Sequence, residues 1–157
     1  MPAITFRAAE AADAPDILSL IRELAAYENL SHEVTATEAQ LRETLFGKRA
    51  YAEVLLAYAD AQLAGFCLFF HNFSTFLGKP GLYVEDIFVR PAFRGLGIGK
   101  RYFKELARLA RERNCGRIEW WVLDWNEPAI AFYRKLGARA MSEWTVYRLD
   151  AAAINEL

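Results

Sequence analysis

The chain has 157 residues, 54% hydrophobic and 25% charged, with four Trp, seven Tyr and eleven Phe, which is ample for one packed core and too apolar for a disordered chain. Nineteen Lys and Arg against 20 Asp and Glu leave a net charge of −1, so no basic field exists to hold a nucleic acid. Neither a basic-then-apolar leader nor a run near the roughly 20 apolar residues of a membrane span is found, and the expectation is one cytoplasmic domain over 1–157 with no nucleic-acid or membrane partner.

Ile4 and Phe6 alternate with polar neighbours, as in a short strand. Asp13 is placed to cap a helix with Pro15 in its first turn, and Ile17, Leu20, Ile21 and Leu24 form its apolar stripe. Thr37 and Gln40 spell a capping box for a second, shorter helix carrying Leu41 and Leu45. Residues 51–58 and 62–72 are rich in β-branched, aromatic and leucine side chains and are expected to pair through a turn at Ala59-Asp60-Ala61. A loop over 73–81 precedes a strand from Leu82 to about Arg90. The glycine loop Arg94-Gly95-Leu96-Gly97-Ile98-Gly99 then opens an amphipathic helix reaching about Arg113, with Phe103, Leu106 and Ala110 on one face.

Arg117–Leu123 is expected as a strand, followed by a short helix capped by Asn126, with Pro128 in its first turn and Gly137 as its stop. Residues 138–149 suggest a last strand, and the final eight a tail. The order β-α-α-β-β-β-α-β-α-β implies an α/β (α+β) fold, antiparallel hairpins first and helical crossovers later, hence a mixed sheet. Cys67 lies in the apolar run Gly65–Phe70 and suggests a buried small hydrophobe. Cys115, His32 and His71 show no ligand spacing with it, so no metal is expected.

A strand feeding a glycine turn that opens a helix can hold an anion, because first-turn N–H groups lack partners and the helix dipole favours negative charge. The P-loop pattern fails, since Gly99-Lys100 is followed by Arg101 and no glycine stands at 94. The dinucleotide fingerprint fails too, because the glycines are spaced Gly95-x-Gly97-x-Gly99 in the second half of the chain. Arg94-x-x-Gly97-x-Gly99 instead resembles the pyrophosphate loop of the GNAT N-acetyltransferases, as does the preceding Glu85-Asp86-Ile87-Phe88-Val89-Arg90-Pro91. Leu24–Glu28, Tyr83–Asp86, Asp124–Pro128 and Phe132-Tyr133 extend the resemblance to the branch of spermidine/spermine and thialysine N-acetyltransferases, over residues 4–149.

The resemblance implies acetyl-CoA as co-substrate, with a central sheet splayed at its site and about four flanking helices. Its pyrophosphate would lie on Gly95, Leu96, Gly97, Ile98, Gly99 and Lys100 beside Arg94. The pantetheine arm would pair with the backbone of Ile87, Phe88 and Val89, and Asn126 would add a CoA contact. Attack on a thioester needs a neutral amine, and a lysine-like amine has a pKa of about 10.4, so a proton acceptor is required. By resemblance Glu85 acts on the amine through a water, Tyr133 protonates the leaving thiolate, and Tyr27, Glu28 and Asp86 contact the substrate. Strand alternation puts Glu85 and Asp86 on opposite faces, so at most one is expected in a given cleft. Asn126 and Tyr133 lie two helical turns apart on one face with Ile130.

For the acceptor, the neutral run Phe73-Ser74-Thr75-Phe76, and Thr145 near the final strand, fall where the polyamine branch carries acidic residues. A small lysine- or thialysine-like amine is therefore expected, with a short diamine or polyamine as the alternative. The same branch implies a homodimer. Two non-enzymatic alternatives are a CoA-binding sensor and an interaction module using Trp120, Trp121 and Trp144.

Overall fold

Strand side chains alternate between faces, and residues 53–89 bury apolar groups on both. The computed structural model describes residues 1–157 as two units, Met1–Trp121 and Val122–Leu157. In the first, β1 (Ile4–Ala8), β2 (Glu53–Ala59), β3 (Gln62–Ser74), β4 (Lys79–Val89) and β5 (Ile118–Trp120) form one sheet in that order. The first three pairings are antiparallel. β4 and β5 run parallel through the crossover helix α3 (Ile98–Glu112), so the sheet is mixed, as expected. α1 (Ala14–Tyr27) and α2 (Glu38–Phe46) join β1 to β2.

One core cluster gathers Cys67, Phe69, Leu82 and Val84 with Ile98, Tyr102 and Leu106 of α3. The other gathers Val54, Leu56, Phe66 and Phe88 with Ile17 and Leu20 of α1. Leu106 and Ala110 of α3 are buried as expected, and Ile98 and Tyr102 complete the face in place of Phe103. Tyr102 is fully buried, whereas Phe103 is partly buried against Trp120. Val84 and Phe88 are four residues apart yet belong to opposite clusters. The cause is a β-bulge, because Leu68 faces Asp86 while Phe69 faces Val84, leaving Glu85 without a partner across the ladder.

Local chemistry explains most element ends. Thr37 and Gln40 form the expected capping box, with Thr37 Oγ1 accepting from the Gln40 N–H at 3.2 Å. Asp13 does not cap α1 with its side chain. A 3-10 turn over Ala11–Asp13 precedes the helix, and the carboxylate instead accepts from the Glu10 N–H and from Arg7, each at 2.7 Å. The β2–β3 turn is shorter than expected, only Asp60 and Ala61, both left-handed at φ 48° and 72°. Pairing of Phe73 with Pro80 and Ser74 with Lys79 narrows the expected loop over 73–81. β5 covers only Ile118–Trp120, in the first part of the expected Arg117–Leu123 strand.

In the second unit Asn126 caps α4 (Glu127–Lys135), its Oδ1 accepting from the Ala129 N–H at 3.4 Å, and Gly137 follows at φ 87°. Residues 138–149 form no strand, contrary to expectation. Alternation makes a strand only where the backbone finds a ladder partner, and this segment pairs with no strand. The expected tail holds a short helix, α5 (Ala151–Asn155), because Asp150 caps a run of alanines.

Candidate active site

β5 pairs with β4 only over Leu82–Val84. Past that point the β4 edge facing β5 has no strand beside it, so Glu85–Val89 line an opening in the sheet. Ile87 and Val89 pack their side chains against the α3 cluster while their main chain runs along this edge. An extended arm carrying amides could add there as a strand does.

β4 leads through a 3-10 turn at Pro91–Phe93 into the glycine loop. Gly95 and Gly97 are left-handed at φ 80° and 77°, and Gly97 is the N-cap of α3. A Cβ added at either would meet no protein atom within 4 Å, so the space beside both glycines is open. Ile98, Gly99 and Lys100 hold the first-turn N–H groups of a 15-residue helix, with Lys100 exposed. These features suit a pyrophosphate.

On the α1 face lies a cleft of about 430 Å³, lined by Ile21, Leu24, Glu28, Val34, Glu85 and Asp86 among others. Its lining includes no Lys, Arg or His. Both Glu85 and Asp86 reach it, contrary to strict alternation. The bulge at Glu85 resets the register and brings Asp86 round to the side of Phe88. Burial, then the charges of Glu85 and Glu28, push the Asp86 carboxyl up to about 7. Burial also raises Glu28. Tyr83 is pushed up to about 12 by burial and by Glu85 and Glu119.

Tyr27 is not among the residues lining this cleft. Its ring lies under Arg94, whose guanidinium carbon is 4.9 Å from the ring centroid. Leu30, Glu33, Val34, Thr35 and Ala36 also line the cleft and were not anticipated. They follow Asn29, a left-handed residue at φ 59°, in a segment with no periodic signal. In the second unit Asn126 is buried, and Tyr133 is half-buried with its ring 5.6 Å from that of Phe132.

Residues 17–138 match the family model described as the acetyltransferase (GNAT) family. The chain belongs to the GNAT acetyltransferase family. It is 38% identical to the thialysine N-epsilon-acetyltransferase of Sus scrofa, over the whole of this chain and 98% of that one. It is 33% identical to an L-ornithine N5-acetyltransferase of Arabidopsis thaliana, over 96% of this chain and 86% of that one. An integron cassette protein from the mobile metagenome of V. cholerae superposes with a TM-score of 0.82 at 25% identity, covering 98% and 96% of the two chains. The chain is thus an N-acetyltransferase of the thialysine and spermidine/spermine branch.

Proposed function

We propose that this GNAT enzyme moves the acetyl group of acetyl-CoA onto a primary amine of a small lysine- or thialysine-like molecule by direct attack in a ternary complex. The observation that carries this is the cleft bearing Glu28, Glu85 and Asp86 without a lining cation, on a strand whose open edge leads into the glycine loop. A cationic acceptor supplies a charge partner for the desolvated carboxyls of Asp86 and Glu28. The likeness to thialysine and ornithine acetyltransferases supports a short acceptor. A short diamine is the second reading, favoured by the same carboxylates.

The main-chain groups of Gly95–Lys100 hold the pyrophosphate beside Arg94 in this reading, and the backbone of Ile87–Val89 orients the arm and thioester. Glu28 and Glu85 bind the ammonium form. The Glu85–Asp86 pair takes up the proton that leaves before attack, and the carboxyl held near 7 is the better matched acceptor at neutral pH. Tyr133 donates a proton to the departing thiolate, and Asn126 contacts CoA. Tyr27 belongs to the acceptor side by resemblance alone. The chain works as one domain over 1–157 and as a homodimer. The free thiols of Cys67 and Cys115 fit the cytoplasm. No helix is long and apolar enough to cross a membrane, and no group of three or more His, Cys, Asp or Glu is arranged to hold a metal.

Incubating the protein with acetyl-CoA and thialysine tests the reading. Saturable thiol release that requires both substrates is expected. A protein that acetyl-CoA stabilises, but that releases no thiol with any amine, would instead be a sensor.

A further inference from the structure

Arg94 opens the glycine loop, yet its side chain is engaged elsewhere. Its Nε donates to the Val89 carbonyl at 3.1 Å, and its guanidinium lies over Tyr27 at 4.9 Å and beside Phe88 at 5.9 Å. Tyr27 is the last residue of α1, at the negative end of the helix dipole, which favours a nearby cation. A second arginine braces the same seam. Arg90 Nη2 and Nε donate to Glu23 of α1 at 2.7 and 2.9 Å, and its Nη1 donates to the Leu63 carbonyl at 2.9 Å. The end of α1 is therefore tied to both ends of the Arg90–Arg94 segment, between the β4 edge and the glycine loop.

We propose that the Arg94–Tyr27 stack couples the acetyl-CoA and acceptor halves of the site, with Tyr27 acting as a positioning residue for the glycine loop. The proposal rests on the reading of Gly95–Lys100 as the acetyl-CoA loop. Two effects give the coupling a positive sign. A pyrophosphate on the loop fixes Arg94, and with it the end of α1 beside Glu28, so the acceptor has less left to order. The bound phosphates also offset the Arg94 charge, which otherwise repels a cationic acceptor. By linkage, each ligand then tightens the other.

The test is the Kd of CoA for the wild type, Tyr27→Leu, Arg94→Gln, the double variant and Tyr27→Phe. Each of the first two variants is expected to weaken CoA about 3- to 30-fold, the range of a cation–π contact. The double variant should be no weaker than Arg94→Gln alone, and Tyr27→Phe, which keeps the ring, should bind within about twofold of wild type. In turnover assays the apparent KM for thialysine should fall about fivefold as acetyl-CoA rises to saturation in the wild type, and stay flat in Tyr27→Leu. A role confined to stability would lower Tm without producing this pattern. Wild-type CoA affinity in Tyr27→Leu, or losses that simply add in the double variant, would overturn the proposal. A wild type that binds no CoA is a different result, and overturns the acetyl-CoA reading beneath it.

Discussion

Asp86 is a strand carboxylate whose environment departs from what its sequence neighbours suggest. Its carboxyl sits near 7 because it is buried beside Glu85 and Glu28. If it holds the proton that controls turnover, kcat/KM falls as pH drops below about 7 in the wild type. Glu85→Gln removes one of the charges that raise it, so the acidic limb moves to lower pH, and Asp86→Asn abolishes the limb. A limb unmoved by Glu85→Gln would assign it to another group. The same shift has a stability consequence. The folded chain keeps the Asp86 proton from the usual 3.8 up to about 7, whereas the unfolded chain releases it near 3.8. The group's contribution is present at low pH and lost as pH rises through that window. Thermal melts should therefore show Asp86→Asn gaining more over wild type at pH 8 than at pH 4. For Tyr133, removing the hydroxyl in Tyr133→Phe should lower kcat by about 10²- to 10⁴-fold with little change in KM. Wild-type turnover in that variant, where chemistry limits the rate, would remove the proposed acid.

Among the elements, the glycine loop was legible because its requirements are local. Spacing alone places Gly95 and Gly97 where the backbone is left-handed, and Gly97 where α3 begins. Gly97→Ala puts a Cβ on a residue at φ 77°, costing about 1–2 kcal/mol, and narrows the approach to phosphate. A CoA Kd at least tenfold weaker is expected by calorimetry in a variant that still melts cooperatively, and an unchanged Kd would separate the loop from CoA. The Thr37 capping box and the Asn126 cap were equally legible, being written within four residues. The bulge at Glu85 was not. It follows from the register of β4 on β3, where Val84 and Phe88 must each fill a different core cluster, and nothing within Tyr83–Ile87 announces it. The segment 138–149 fails for the converse reason. Its alternation is real, but strand formation needs a partner that local sequence does not supply.

At the scale of the molecule, resemblance and physics carry different parts of the account. Element order and a mixed sheet could be read from periodicity and turn chemistry, and the structure follows them from β1 to α4. That β5 stops pairing with β4 at Val84 could not be read from periodicity, although family resemblance implied a splay there. The cleft's wall from Leu30 to Ala36 escaped both, since an irregular segment has no pattern to detect. Acceptor choice depends on the whole lining: Glu28 just past α1, Glu85 and Asp86 on β4, a further carboxylate at Glu33, and apolar side chains between them. Such a site rewards one or two closely spaced ammonium groups, while a long polycation needs carboxylates at greater reach. The most direct test of the central claim is kcat/KM for acetyl transfer from acetyl-CoA to thialysine, lysine, putrescine and spermidine, measured in parallel by thiol release. The account predicts transfer to the short amines with thialysine leading. Spermidine ahead by tenfold or more, about 1.4 kcal/mol in transition-state binding, or no transfer to any of the four, would contradict it.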